Sequence, residues 1–582
     1  MKSIYHNLVL AILFFPICLQ AQNLPHTLTD SEKGELNDYL LNSASRTSSS
    51  AFTTPPSSPV RAMAEWEELQ GLMVTWTSFS SMLTEIVREA KEECEVYIVT
   101  TNQSNVISSL NASGVDTTNI TFLNNSYNSV WSRDYGPWSV YTNDVDSLLI
   151  IDWIYNRPRP QDDQIPVHIA NELAVPLYQT TTSPWNLVHT GGNFMTDGMG
   201  TGFSSKLILN ENPGKTEAAI DNIMQQFMGI DRYIKMDNLP YDVIHHIDMH
   251  MKLLDEETIL MGEYPQGVSD GPQIEANLLY ILNNFMSPFG TPYKIVRIPM
   301  PPNLAGQYPN NGSNYYTHAN SVIVNKTILV PIYNLPSDTT ALRIFREAKP
   351  GYKVVGINSN PSIPSLGAIH CITKEIGTGD PLLIIHNDLE DTYDDLNPYP
   401  VDAIIKHRSG IAGANLLYTT DTLLPYQSVA MTLTNATTDT WSANIPAQAV
   451  GSKIFYYIDA NANSGKSQVR PLPAPAGYWD FDVLQLTAIN DNNSSTDLAW
   501  GKEVFPNPSN GITCITTQSN KNLKASLQLT DLNGRLVEVI FDGEIQAGED
   551  RHFINTSEIN AGVYLVVLNT KEGKLIQKLL IQ

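Results

Sequence analysis

The stretch Gly367-Ala368-Ile369-His370-Cys371 sets a cysteine directly after a histidine at the end of an apolar run, which makes Cys371 the candidate nucleophile. Four cysteines occur, Cys18, Cys94, Cys371 and Cys514, and the first falls in a stretch that reads as removable. Three remain, so in an oxidising compartment at least one thiol stays unpaired, a state tolerated where the thiol is buried or needed. The competing reading is a small core residue, because free cysteines rank among the most buried residue types.

Four further stretches concentrate polar groups. In Val130-Trp131-Ser132-Arg133-Asp134-Tyr135-Gly136-Pro137-Trp138 two indoles flank a charged pair. A carboxylate beside aromatic walls suits a cation gripped at its edge and covered on its face, although Arg133 and Asp134 could equally pair with each other within a turn. In His189-Thr190-Gly191-Gly192-Asn193-Phe194 the paired glycines permit close approach of backbone to a ligand, or an ordinary turn. In Val243-Ile244-His245-His246-Ile247-Asp248-Met249-His250-Met251, strand alternation places Ile244, His246, Asp248 and His250 on one face. Those three polar residues could ligate zinc, but a cysteine and a second aspartate elsewhere suit a metal-free chemistry using the same groups. The fourth stretch, Asn314-Tyr315-Tyr316-Thr317-His318-Ala319-Asn320, offers Asn320 to orient a catalytic group, or as a turn former.

These segments need a scaffold, and at 582 residues the chain exceeds one core and suggests about three or four domains. Strand-like runs at 71–76, 95–100 and 148–153 alternate with helical stretches at 82–94 and 215–227, the mark of an α/β domain. Residues 1–21, with Lys2, an apolar run over 8–19 and Ala21, read as a signal peptide, and no later segment is suited to span a membrane. Residues 22–59, rich in Ser, Thr and Pro, read as a propeptide or linker. Thirty-five basic against sixty acidic side chains give a net charge of -25 and argue against a nucleic-acid partner.

Trp131 to Pro137, Gly191-Gly192-Asn193, His246-Ile247-Asp248 and Gly367 to Cys371, in this order and with Glu65-Trp66-Glu67 before them, resemble the guanidine-modifying superfamily, and within it the bacterial peptidylarginine deiminases of the Porphyromonas type. The resemblance spans about residues 61–417 and implies a five-bladed pseudo-symmetric α/β propeller. It also implies roles. Asp134 and Asp248 bind the guanidinium, Cys371 attacks its central carbon, His246 serves as general acid and then base, and Asn320 maps onto the family's asparagine. Trp131, Gly192 and Asn193 would line the substrate site, and Arg157 and Arg159 in Asn156-Arg157-Pro158-Arg159-Pro160 would hold a substrate carboxylate. No cofactor or catalytic metal is required, with room left for a structural calcium or sodium ion. The products would be citrulline and ammonia.

The catalytic domain is placed at 60–418, an immunoglobulin-like β-sandwich at 419–486 on its short alternating strands, and a linker at 487–502. Residues 503–582, from Val504-Phe505-Pro506-Asn507-Pro508 to Lys578-Leu579-Leu580-Ile581-Gln582, resemble a type IX secretion sorting domain, also β-rich. That resemblance implies the secretion machinery as a partner and a secreted or surface-attached enzyme. The leading expectation is therefore an exported deiminase of peptide or protein arginine, favouring C-terminal arginine. The alternatives are an agmatine deiminase and a non-catalytic binding or adhesion protein.

Overall fold

Four times between residues 132 and 358 of the computed structural model the chain makes one tight turn, a first strand, an antiparallel second strand, a helix and a third strand parallel to the second. The central strands Leu148–Tyr155, Thr201–Ser205, Thr258–Glu263 and Thr327–Ile332 pair in parallel with Leu177–Thr180, Arg232–Met236, Lys294–Pro299 and Lys353–Asn358. A fifth unit is split across the sequence: the strand Lys374–Gly377 runs antiparallel to Leu69–Thr75, which is followed by the parallel strands Glu95–Val99 and Ile120–Leu123. The last-formed strand thus closes the first-formed sheet. The described residues are 24–484, 498–532, 534–571 and 574–582, so the expected signal peptide and most of the expected linker at 487–502 lie outside them.

Burial explains the local choices. Leu148–Tyr155 is buried at all eight positions, as a parallel-sheet strand covered on both faces must be, and its sequence is correspondingly apolar. The helix Ser80–Ala90 buries Met82, Leu83, Ile86, Val87 and Ala90, one face at helical spacing. The helix Glu217–Met228 starts at Thr216, whose side chain accepts from the Ala219 amide, satisfying one of the otherwise unpaired first-turn donors.

Two expectations are corrected. The α/β architecture ends at Gly377, not at Tyr418, because the strands Leu383–His386, Tyr399–Lys406 and Ile411–Thr419 belong to two antiparallel sheets that enclose a separate apolar core running from Leu382 to Val483. The alternating run at 429–434 is also two strands, Gln427–Ala430 and Thr432–Asn435, which cross from one of these sheets to the other at buried Met431. Beyond residue 498 two more sheets share a third core that includes Val504, Leu527, Val566 and Leu579.

Residues 24–59 are not a bare linker. Thr29 caps the helix Asp30–Leu41 with a reciprocal bond to Glu32, and Phe52 bridges in parallel to Tyr178 at the edge of the second sheet. A Ser/Thr/Pro-rich composition is compatible with order when the ordered chain docks on a larger domain, as here.

The closure of the ring rests on Arg133. Its guanidinium, 1% exposed, donates to the His370 carbonyl at 3.2 Å and pairs with Glu375 at 2.6 Å, tying the unit that opens at residue 132 to the closing strand. Removing one partner of a buried pair costs up to about 3–5 kcal/mol, and here Glu375 would keep only its second partner, Lys374, at 2.5 Å. Arg133→Met is therefore expected to lower the thermal unfolding transition of the α/β domain by several degrees, measured by calorimetry; an unchanged transition would contradict this role.

Candidate active site

Each of the five units contributes the turn just before its first strand, and the five turns contact one another in a closed circle. Cys371 Sγ lies 3.3 Å from Asn320 Nδ2, which also donates to the Asp248 carbonyl at 3.1 Å. Gly192 sits against His246 and donates its amide to Asp134 Oδ1 at 3.2 Å, and Arg133 returns the circle to His370. These turns are short: Ser132–Tyr135, Gly191–Asn193, Ile247–Met249 and His370–Ile372 are single helical turns. The strand alternation expected through His246 to His250 is thus replaced by a turn, and the strand begins only at Met251. His246 and Asp248 still meet, but across a turn, and His250 forms no hydrogen bond through either ring nitrogen.

Cys371 is buried, and its sulfur lies 3.7 Å from Asp248 Oδ2. Burial raises the thiol well above its ordinary value, and the charges of Asp248 and Asp134 raise it further, beyond what the Ala368 backbone and Asn320 can offset. The sulfur is therefore held as a thiol while its cation seat lacks a guanidinium. Asp248 itself stays ionised. Burial opposes its charge, but His370 Nδ1 donates to Oδ2 at 2.7 Å and prevails, while Oδ1 accepts no protein hydrogen bond. Behind His370, Nε2 donates to Glu65 at 3.0 Å, and Glu65 accepts from Lys252 at 2.5 Å. This chain of contacts fixes the plane of the Asp248 carboxylate.

Across the site, burial works against ionisation of Asp134, yet His26 and His246 hold its carboxyl below the usual range. His246 lies 3.5 Å from Asp134 Oδ1 without a proper hydrogen bond, and burial brings it down to about 4, so it is neutral near pH 7. Gly192 packs so closely that a Cβ there would lie 2.5 Å from His246 Nδ1 and 3.0 Å from Asp134 Oδ1. Gly367 likewise leaves room for Trp131 and the Cys371 side chain, with a Cβ falling 2.5 Å from the indole.

Residues 61–376, more than half of the chain, match the family described as Porphyromonas-type peptidyl-arginine deiminase. The chain belongs to that family. Residues 503–582 match a secretion-system C-terminal sorting domain, which indicates export. Among curated relatives, a putative agmatine deiminase of Vibrio parahaemolyticus is 25% identical over 281 residues, covering 43% of this chain and 76% of its own, and one from Shewanella putrefaciens is 25% identical over 298 residues, covering 46% and 79%. Among solved structures, a putative agmatine deiminase superposes with a TM-score of 0.51 at 21% identity over 56% of this chain and 99% of its own. The putative arginine deiminase from Porphyromonas gingivalis gives 0.49 at 22% identity over 55% and 99%.

Against the sites expected from this deiminase family, Cys371, His246, Asp248, Asp134, Asn320, Trp131 and Gly192 come together. Asn320 is distinguished from its neighbours by contact: Asn325 instead binds Leu69 and Glu93 main chain, and His318 binds the Pro331 carbonyl. Asn193 is a correction, since its side chain is spent on both main-chain atoms of Ser205 and braces the turn from behind. Arg157 and Arg159 stand at the site, but residues 25–32 hold them. Arg133 pairs with Glu375 and not with Asp134. Among the described residues, the grouping that could hold a metal is His26, Asp134 and His246, not His246, Asp248 and His250, and it exists only while residue 26 is in place. His370 and Glu65 sit within the sequence motifs, but their contacts to Asp248 and Lys252 are visible only in the fold, and His26, a lone histidine in a polar tail, carries no spacing signal.

Because the nearest atoms to a side chain at Gly192 belong to His246, Asp134 and Asp248, Gly192→Ala is expected to lower guanidine hydrolysis by at least ~100-fold, the scale of misplacing reacting groups by about 1 Å, with little change in the melting transition. Near-normal turnover would show that His246 and Asp134 are not fixed where the structure has them.

Proposed function

We propose that this chain is an exported hydrolase that converts the guanidinium of peptidyl arginine, preferentially at a peptide's C-terminus, to the ureido group of citrulline with release of ammonia. The observation that carries it is the placement of Cys371 Sγ, bonded by Asn320, beside ionised Asp248 and within the same buried ring of turns as Asp134 and His246. A planar cation between two carboxylates accepts paired hydrogen bonds from each and is fixed in orientation. The Trp131 face would cover the cation.

Binding of that cation brings positive charge to the sulfur and offsets the two carboxylates that hold the thiol protonated, so the substrate itself favours the thiolate. The thiolate adds to the central carbon to give a tetrahedral adduct. His246, neutral at rest, takes up the proton that the Cys371 thiol loses, and the carbon–nitrogen bond of the adduct breaks as His246 hands that proton to the departing ammonia, leaving a thiouronium on Cys371. His246, now neutral, takes a proton from water as the oxygen adds, and collapse of the second adduct expels the thiolate and the ureido product. These steps use no metal or cofactor. Asp248 and Asp134 hold charge throughout, and Asn320 positions the sulfur.

Arg157 and Arg159, 8% and 0% exposed, favour a peptide over agmatine: a substrate with neither carbonyl nor carboxylate would leave two buried cations without a substrate partner. Agmatine hydrolysis is the second reading, favoured by the printed names of the curated relatives. The five closed units are taken here as the blades of a propeller, the following sheets as an immunoglobulin-like sandwich and the sorting domain as a second one, placing the enzyme outside the cell or on its surface.

The test compares ammonia release from a peptide ending in arginine, a peptide with internal arginine, and agmatine, with Cys371→Ala as control and residues 24–46 removed. The expected order is the first peptide fastest and the control inactive; agmatine as the best substrate would reverse the substrate assignment, and turnover by the control would remove Cys371 from the mechanism. For the same protein, kcat/KM, which reports free enzyme, is expected to climb with pH beyond the ordinary thiol value of about 8.5. The kcat profile, reporting the complex, should level off at lower pH because bound cation lowers the thiol; coincident profiles would contradict substrate-assisted ionisation.

A further inference from the structure

Resting on that reading of the site, we propose that residues 24–46 are an intramolecular substrate mimic that keeps the exported enzyme latent until a protease cuts the exposed stretch behind it and the segment departs. Each feature expected of a peptide substrate has a counterpart in this segment. In the cation seat, the fully buried His26 ring lies parallel to Trp131, centroids 4.1 Å apart and planes 7° from parallel. Its Nε2 donates to Asp134 Oδ2 at 2.6 Å and its Nδ1 to the Leu366 carbonyl at 2.8 Å. Both nitrogens thus face acceptors, as the N–H edge of a substrate would. The His246 ring stands edge-on to it, with the centroids 5.1 Å apart.

The main chain and carboxylate follow suit. Trp131 Nε1 donates to the Leu24 carbonyl at 3.1 Å, Arg157 Nε to the His26 carbonyl at 3.2 Å, and Arg159 to the Pro25 carbonyl at 2.7 Å. Arg159 Nε also holds the Glu32 carboxylate at 2.7 Å, and Glu32 is fixed in turn by the Thr29 cap. With His26 against Trp131 and Asp134, a guanidinium cannot reach the position between the aspartates.

The segment is built to leave as a unit. The helix Asp30–Leu41 fully buries only Glu32 and half-buries Leu36, Tyr39 and Leu40, so its polar contacts are backed by a thin apolar face. Arg46 anchors its far end on Asp163 at 3.0 Å. Immediately beyond, Ser49 and Ser50 are exposed at a turn, while Phe52 is already hydrogen-bonded to Leu177 and Gln179. Hydrolysis of one peptide bond between Thr47 and Ser50 would consume one water, free the carboxyl end of the mimic and leave Phe52 on the enzyme. As a tethered ligand the mimic competes at an effective concentration in the millimolar range; once cut, it dilutes.

The experiment uses the full chain with the Ser48-Ser49-Ser50 turn replaced by a recognition sequence for a site-specific protease. Citrulline release from a peptide ending in arginine is measured before cutting, after cutting and dialysis, and for uncut His26→Ala. A site occluded 99% of the time lowers apparent kcat/KM about 100-fold, so cutting is expected to raise it by that order and His26→Ala to raise it at least ~10-fold by the same relation. A synthetic peptide of residues 24–46 should inhibit the cut enzyme competitively, and the same peptide carrying the His26→Ala change should inhibit it far less. Equal rates before and after cutting would overturn the proposal. If cut enzyme hydrolyses no guanidine at all, the functional reading fails instead, and the mimic is judged by iodoacetamide alkylation of Cys371 followed by mass spectrometry: faster labelling after cutting supports it, and unchanged labelling overturns it.

Discussion

Two carboxylates, Asp134 and Asp248, must stay ionised at the dry centre of a ring of turns, and the rest of the structure answers that demand. Burying a charge without compensation costs several kcal/mol, so each carboxylate needs partners that do not also consume the face meant for substrate. For Asp248 the partner is His370, itself braced by Glu65 and Lys252, all on the side away from the free Oδ1. For Asp134 it is the Gly192 amide, joined by the His26 ring in the closed protein. Burial and the same two charges raise the Cys371 thiol, so the sulfur and the carboxylates are coupled, and on the proposed mechanism a positive substrate between them would release that hold.

Five units supply one turn each, and the circle is completed only by a strand that arrives some three hundred residues after its partner, Lys374–Gly377 against Leu69–Thr75. Arg133 and Glu375 fasten that junction within the site itself. Fold closure and site geometry therefore share one buried ion pair, and Cys371 lies three residues before the closing strand because that is where the last turn falls.

Much of this centre is legible in the sequence because each turn is polar and the strand after it is apolar. Cys371, His246, Asp248 and Asp134 stand out as chemical groups where a structural sheet would have none. What alternation misjudges is the path between them: Ile247–Met249 looks like strand because isoleucine and methionine alternate with polar residues, yet a turn with Asp248 at its apex brings the carboxylate to the sulfur. Asn193 was read by its neighbourhood to glycines, whereas its amide is spent on Ser205. The fivefold repeat cannot be read from residue types, since the five turns share position and not sequence. The domain boundary moved to Gly377 because the strands at 383–419 are patterned like any half-buried strand, and only their pairing assigns them to the following sheets.

For this member of the deiminase family, with its C-terminal sorting domain and docked segment, the proposed chemistry is concentrated on a single sulfur. The most direct measurement is acid quench of the segment-free enzyme during turnover of a peptide ending in arginine, followed by digestion and mass spectrometry of the Cys371 peptide. The account predicts an adduct of substrate less ammonia on Cys371, formed and lost at the rate of turnover. Product formation with Cys371 unmodified at every time, or an adduct on another residue, would contradict it.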